Sequence, residues 1–288
     1  MTIIAPVLSM LDQQLLHFPV QGVDTPCGGV QFRTSGHGTK VTHVLLHGIG
    51  SGSASWLAQL LAASASSTLK LLAWDAPGYG TSTPVQAQQP LAPDYAKHLW
   101  AWLDAAGVVD PITLVGHSLG ALIAASATRL APARVSRLVL LAPARGYGKA
   151  SEKDREKKLS DRLEALASLG PQGMAEKRGA AMLSAAASAE QITFIQSIMS
   201  QINPAGYTQA SHLLAGGDLE TDLRQLRCPV TVASGHADTI TPPEACQTVA
   251  EVARVAWTDL GKVGHACPLE AAESVNSLLG VTTTGNQP

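Results

Sequence analysis

Charge is scarce in this chain of 288 residues. Asp, Glu, Lys and Arg make up 15% of it, and the formal net charge is −2 with neutral histidines. No stripe of Lys and Arg marks a helix pattern, which excludes a nucleic-acid footprint. The slight acidic balance implies no partner of its own. Cysteine is scarce as well. Cys27, Cys228, Cys246 and Cys267 show no C-x-x-C or other metal-ligand spacing, and they read as reduced, mostly buried thiols. Long hydrophobic runs are missing: none reaches the roughly 18–20 residues of a membrane span. The opening "MTIIAPVLSMLDQQ" lacks a basic n-region, and Pro6 and Asp12 interrupt its apolar run, so it makes a poor signal peptide. Internal repeats are absent too. These absences leave a soluble, cytoplasmic protein. Its 45% hydrophobic content is that of a globular chain, long enough to bury a sizeable core.

What is present is an alternation. Residues 28–36 and 41–47 read as strands joined by "SGHGTK". "LKLLAWD" (69–75), "ITLVG" (112–116), "VSRLVLLA" (135–142), "CPVTVASG" (228–235) and "VAWTDLG" (255–261) are further apolar strand patterns. Near-continuous apolar runs mark strands buried on both faces. Helix patterns lie between them: Trp56, Leu57, Leu60 and Leu61; then 93–106, with Pro93 near its start; then the small-residue run after Gly120. Alternating buried strands and helices indicate an α/β fold with a parallel sheet. From Arg145 to Ser211 the rhythm breaks into helix alone. Leu159, Leu163 and Leu166 share a face that Gly170-Pro171 stops, and Ser188 with Gln191 forms a capping box. The run "KASEKDREKK" (149–158) reads as a solvated face, and the tail "TTTGNQP" as disordered.

Gly116-His117-Ser118-Leu119-Gly120 matches G-x-S-x-G between a buried strand and a helix. In that setting a serine sits on a strained turn, with Oγ projecting at the carboxyl end of the sheet. A serine hydroxyl needs a base. His17, His37 and His43 lie in or beside early strands, His98 lies on a helix, and His117 lies inside the turn. His265 follows a strand and the loop "GKVG", at the same edge as Ser118. Asp238, in "GHADTITPP", follows another strand and supplies an orienting acid. Asp75 precedes the serine and reads as a turn-fixing residue. Asp259 falls inside the last strand, and Asp218 precedes its strand. The order Ser118, Asp238, His265 is nucleophile, acid, base. "HGIGSG" (47–52) is a flexible loop after a buried strand, and no G-K-[ST] follows to make it a phosphate loop. Oxyanion donors are expected at the N–H groups of Ile49 and Leu119.

Taken together, "LLHGIGSG", "WDAPGYGTS", "LVGHSLGA", "SGHADTITPP" and "VGHACPLE" resemble the α/β-hydrolase superfamily over nearly the whole chain. The resemblance implies a mostly parallel eight-stranded sheet with a helical cap inserted after strand 6. Residues 1–144 and 212–288 would form the core and 145–211 the cap. "INPAGYTQASHLLAGGDLETDLRQLRCPV" is similar to the cap-to-core passage of 3-oxoadipate enol-lactonases and small carboxylesterases. The implied activity is a serine hydrolase acting on a carboxylic ester or lactone, with no metal or cofactor. Alternatives are a C–C bond hydrolase of aromatic meta-cleavage products and a non-catalytic small-molecule receptor. Those C–C hydrolases usually carry a tryptophan shortly after the histidine, and "HACPLEAAE" has none. The expected partners are a small-molecule ester, lactone or diketone substrate, no nucleic acid and no membrane, with room for a homo-oligomer. Trp56, Tyr147 and Met182 are candidates for lining the substrate site, with core packing as the alternative. Arg145, at the junction with the cap, would clamp a substrate carboxylate, with a cap–core salt bridge as the alternative.

Overall fold

A computed structural model describes residues 9–281. The tail "TTTGNQP" and the first eight residues lie outside the described residues. α1 (Met10–Leu15) precedes a hairpin of β1 (Gln21–Thr25) and β2 (Gly28–Ser35). Then β3 (His43–Leu46), α2 (Leu57–Ala63), β4 (Leu71–Asp75), α3 (Ala92–Ala105), β5 (Ile112–His117), α4 (Leu119–Leu130) and β6 (Val135–Leu141) alternate. Four helices follow without a strand: α5 (Glu152–Arg178), α6 (Ala189–Ser200), α7 (Pro204–Gly216) and α8 (Leu219–Leu223). The alternation resumes with β7 (Val230–Ser234), α9 (Pro243–Ala253), β8 (Trp257–Asp259), α10 (Cys267–Glu270) and α11 (Ala272–Leu279).

The eight strands form one sheet in the order β1-β2-β4-β3-β5-β6-β7-β8. β2 pairs antiparallel with β1 and β4, and the remaining pairings are parallel. Successive side chains of a strand point to opposite faces. Val44 and Leu46, Leu72 and Trp74, and Leu138 and Leu140 therefore join one core, with α3, α4, α8 and α9. Leu45, Ala73, Val139 and Leu141 join the other, with α2 and α11. Two covered faces are the reason these strands read as continuous apolar runs.

From β3 the chain moves to β4 on one side, then returns to β5 on the other. In open α/β sheets such a reversal opens a crevice beyond the carboxyl ends of the strands, where ligands bind. Leu46 lies in register with Gly116, so the loops after β3 and β5 leave the sheet side by side. Of the helices between β6 and β7, α5, α6 and α7 carry side chains into the cavity at that edge, while α8 packs against α4 and α9 and adds Glu220 to the cavity wall. Within α5, Gly170 (φ 63°, ψ 178°) and Pro171 interrupt the helix as expected, and a further helical stretch then resumes. α6 carries the expected capping box, with Gln191 N–H donating to Ser188 Oγ and Ser188 N–H to Gln191 Oε1. α7 runs unbroken through residue 211 to Gly216. β1 was not expected: its sequence QGVDT has a single large apolar residue, because it is an edge strand paired on one side. No helix among the described residues is long and apolar enough to cross a membrane. The four cysteines are free thiols, with Cys246 and Cys267 buried.

Candidate active site

β5 ends at His117, and α4 begins at Leu119. Ser118 makes the whole turn alone, at φ 53° and ψ −115°. This left-handed backbone is unfavourable for a residue with a Cβ and persists only where the surroundings enforce it. Here Ser118 N–H donates to Leu141 C=O, while Ser118 C=O accepts from Ala144 and Ala121 N–H. Glycine is required on both sides by close approach. A Cβ on Gly116 would stand 2.5 Å from Gly120 O, and one on Gly120 would stand 2.3 Å from Leu46 O.

His265 follows β8, and its ring is almost fully buried. Nδ1 donates to Asp238 Oδ2 at 2.8 Å. Asp238 sits on the loop after β7. Its Oδ1 accepts from Ile240 N–H (2.8 Å) and Thr241 N–H (2.9 Å), and its Oδ2 also accepts from Thr241 Oγ1 (2.8 Å). Burial raises the Asp238 carboxyl, but the His265 and Thr241 hydrogen bonds outweigh it and hold the group below its ordinary value. The carboxylate therefore stays charged beside the imidazole. Thr241 was missed from sequence. The signal was its place directly after the Asx turn that Asp238 closes with Ile240 N–H two residues on, which leaves the next N–H and hydroxyl, those of Thr241, within reach of the carboxylate.

Ser118 and His265 both open onto one cavity of about 430 Å³. Ile49 lines it as well, on the loop after β3. Neither the Ile49 nor the Leu119 N–H has a hydrogen-bond acceptor among the described residues. The loop carrying Ile49 is held from behind. His47 Nδ1 bonds Gly48 C=O (2.8 Å), and His47 Nε2 accepts from Ala76 N–H (3.0 Å), which places the proton on Nδ1. Asp75 accepts from Ser53 N–H at 2.7 Å and from its hydroxyl at 3.1 Å. It fixes a turn, as its position suggested.

Tyr147 and Met182 line the cavity, as does Arg145. Arg145 also donates through Nε (3.1 Å) and one NH2 (2.5 Å) to Glu220 Oε1. Trp56 is a correction. It ends a 3-10 turn that swings the indole inward, where it is fully buried and packs edge-on against His117 at 6.4 Å. It lines no part of this cavity.

His117 supports the site from beneath. Its Nε2–H donates to the His265 carbonyl at 2.8 Å. Burial, then the neighbouring His265, pushes its imidazole down to about 3 from an ordinary 6.5. A depressed histidine has a defined sign in the linkage: below pH 6.5 the unfolded chain takes up a proton here that the folded chain refuses until about pH 3. Stability is thus expected to fall with pH across that window, by ~2–3 kcal/mol at about pH 4.5 from this residue alone. Urea midpoints at pH 7 and 4.5 check this, and His117→Gln should narrow the gap by that amount. An unchanged gap would contradict it. A second tie crosses to the helices above: Glu270 accepts from Gly264 N–H (2.8 Å) and Ser184 N–H (3.0 Å).

The model of the alpha/beta hydrolase family matches residues 44–278. RutD of Klebsiella pneumoniae (strain 342), described as a candidate carbamate hydrolase, is 30% identical over 253 residues, 82% of this chain and 88% of its own. The (E)-2-((N-methylformamido)methylene)succinate hydrolase of Acinetobacter baylyi is 27% identical over 251 residues, with the same shares of each chain. Among solved structures, a thermophilic esterase from Thermogutta terrifontis superposes with TM-score 0.77 at 24% identity, covering 92% of this chain and 100% of its own. An enol-lactonase from Burkholderia xenovorans superposes with TM-score 0.77 at 18% identity, covering 91% and 98%. Sheet order, the positive-φ serine after β5 and the family match over residues 44–278 agree, and the chain belongs to the alpha/beta hydrolase family.

Proposed function

We propose that this protein is a serine hydrolase that cleaves a carboxylic ester or lactone of a small molecule through an acyl-enzyme. One observation carries the reading: a positive-φ serine and a histidine bonded to a buried carboxylate face the same cavity. With Nδ1–H given to Asp238, Nε2 is the free lone pair of His265. Nε2 takes the Ser118 proton as Oγ bonds the substrate carbonyl carbon. The Ile49 and Leu119 N–H groups receive the oxyanion. Collapse expels the alcohol or enol, which leaves with the proton from Nε2. Water then attacks the acyl carbon with Nε2 as base, and Ser118 recovers its proton as the acid departs. Residues 145–211 act as the cap over this site, and Tyr147 and Met182 contact substrate from that side.

The names of the two curated relatives favour a second reading, the same acyl transfer applied to a carbonyl bearing nitrogen. Both readings share a test. A fluorophosphonate should label Ser118 once per chain and abolish turnover of p-nitrophenyl esters, with a burst of one p-nitrophenol per active site. Labelling without turnover on esters, carbamates and amides would instead favour a receptor, and labelling elsewhere would overturn the assignment.

A further inference from the structure

The cavity wall carries four cationic side chains, Arg145, Lys149, Arg162 and Arg178, against two carboxylates, Asp218 and Glu220. The carboxylates are already engaged. Glu220 receives Arg145 at 2.5 Å and Lys149 at 2.8 Å, and Lys149 also reaches Asp218 at 3.4 Å. Arg162 and Arg178 have no ion pair or side-chain hydrogen bond among the described residues. Both are half-buried. The break at Gly170 separates them: Arg162 lies on the long part of α5, and Arg178 lies on the part that restarts at Pro171. Met174 and Arg178 are one helical turn apart, and both face the cavity. The cavity wall beside Arg178 is therefore partly apolar, which weakens the screening of a charge placed there.

We propose that Arg162 and Arg178 form an anion subsite, and that the substrate carries a carboxylate remote from the scissile carbonyl. This deepens the serine-hydrolase reading and rests on it. A half-buried guanidinium without a partner is costly, and its planar fork suits a carboxylate held by two parallel hydrogen bonds. Ser118 lies on the sheet side of the cavity and the arginines on the α5 side. The acid must then sit at the far end of the acyl chain or leaving group, not beside the reacting carbon. Arg145, first considered for this role, gives two of its donor groups to Glu220.

The test compares mono-p-nitrophenyl glutarate with neutral p-nitrophenyl valerate, in wild type, Arg162→Met, Arg178→Met and the double variant. The double variant should lose about 10–100-fold in kcat/KM on the glutarate ester, mostly through KM, the range for hydrogen bonds to a charged group. On valerate it should stay within about two-fold. Equal losses on both esters, or none on either, would overturn the subsite. Turnover of neither ester by wild type would count against the serine reading, and binding then decides the subsite alone. Calorimetry with glutarate should show binding weakened at least about ten-fold in the folded double variant, and weakened by salt in wild type. No glutarate binding to wild type, or binding unchanged in the double variant, would overturn it.

Discussion

Ser118→Ala is expected to lose about 10⁴–10⁶-fold in kcat on any ester the wild type turns over, the typical effect of deleting a triad nucleophile. The fold should be untouched. Ser118 Oγ takes no part in a hydrogen bond within the described structure, whereas the backbone N–H and C=O of Ser118 hold the turn. Those bonds do not depend on the hydroxyl. Alanine can also sit at a positive φ in this protein: Ala142, at the end of β6, has φ 44°. The strain of the turn is therefore the same in the variant. Urea midpoints should agree within error while activity disappears. A variant keeping a tenth of the wild-type rate would mean that another group attacks the carbonyl. A large drop in stability would mean that the hydroxyl was structural.

Strands covered on both faces were the most legible part of the sequence. In Val44-Leu45-Leu46 and Leu138-Val139-Leu140-Leu141 every position must be apolar, because alternate residues feed two different cores. β1 was hidden for the converse reason. An edge strand exposes most of its side chains, so QGVDT carries no hydrophobic pattern to read. At the site, backbone constraint was legible and side-chain partnership was not. Gly116 and Gly120 announce a turn too tight for a Cβ. Trp56 sits in sequence beside the Ile49 loop, yet its direction depends on a 3-10 turn that sends the ring toward His117. Arg145 and Glu220 are 75 residues apart, so their pairing had no local signature. Arg162 and Arg178 stand in no sequence motif. Only the break in α5 and the cavity beneath it set them apart from solvated neighbours such as Lys157, which pairs with Asp161 at 2.9 Å.

Asp238→Asn should lose about 10⁴-fold in kcat, the loss seen when the acid of such a triad is neutralised. The hydrogen bonds around the carboxyl dictate how the amide will sit. Oδ1 accepts from two backbone N–H groups, at 2.8 and 2.9 Å. An asparagine keeps those bonds only with its carbonyl oxygen at that position. Its NH2 group then takes the place of Oδ2, facing His265 Nδ1, which lies 2.8 Å from that oxygen in the wild type. Two donors cannot share the contact, so Nδ1 must become the acceptor and the imidazole proton moves to Nε2. The lone pair that would take the Ser118 proton is lost, although no atom need shift far. Thr241 Oγ1 can follow the change, because its single proton can turn from Asp238 Oδ2 to Ala142 C=O, 3.1 Å away, leaving a lone pair to accept from the new NH2 group. Nitrogen chemical shifts of His265 should report the Nε2–H tautomer in the variant and Nδ1–H in the wild type. Fluorophosphonate labelling should slow in parallel with kcat, because the base is needed for both. Near-normal turnover with the Nε2–H tautomer in place would remove His265 as the base. Near-normal turnover with Nδ1–H retained would show that the amide had turned over, leaving Ile240 and Thr241 N–H facing the NH2 group and the variant measurably less stable.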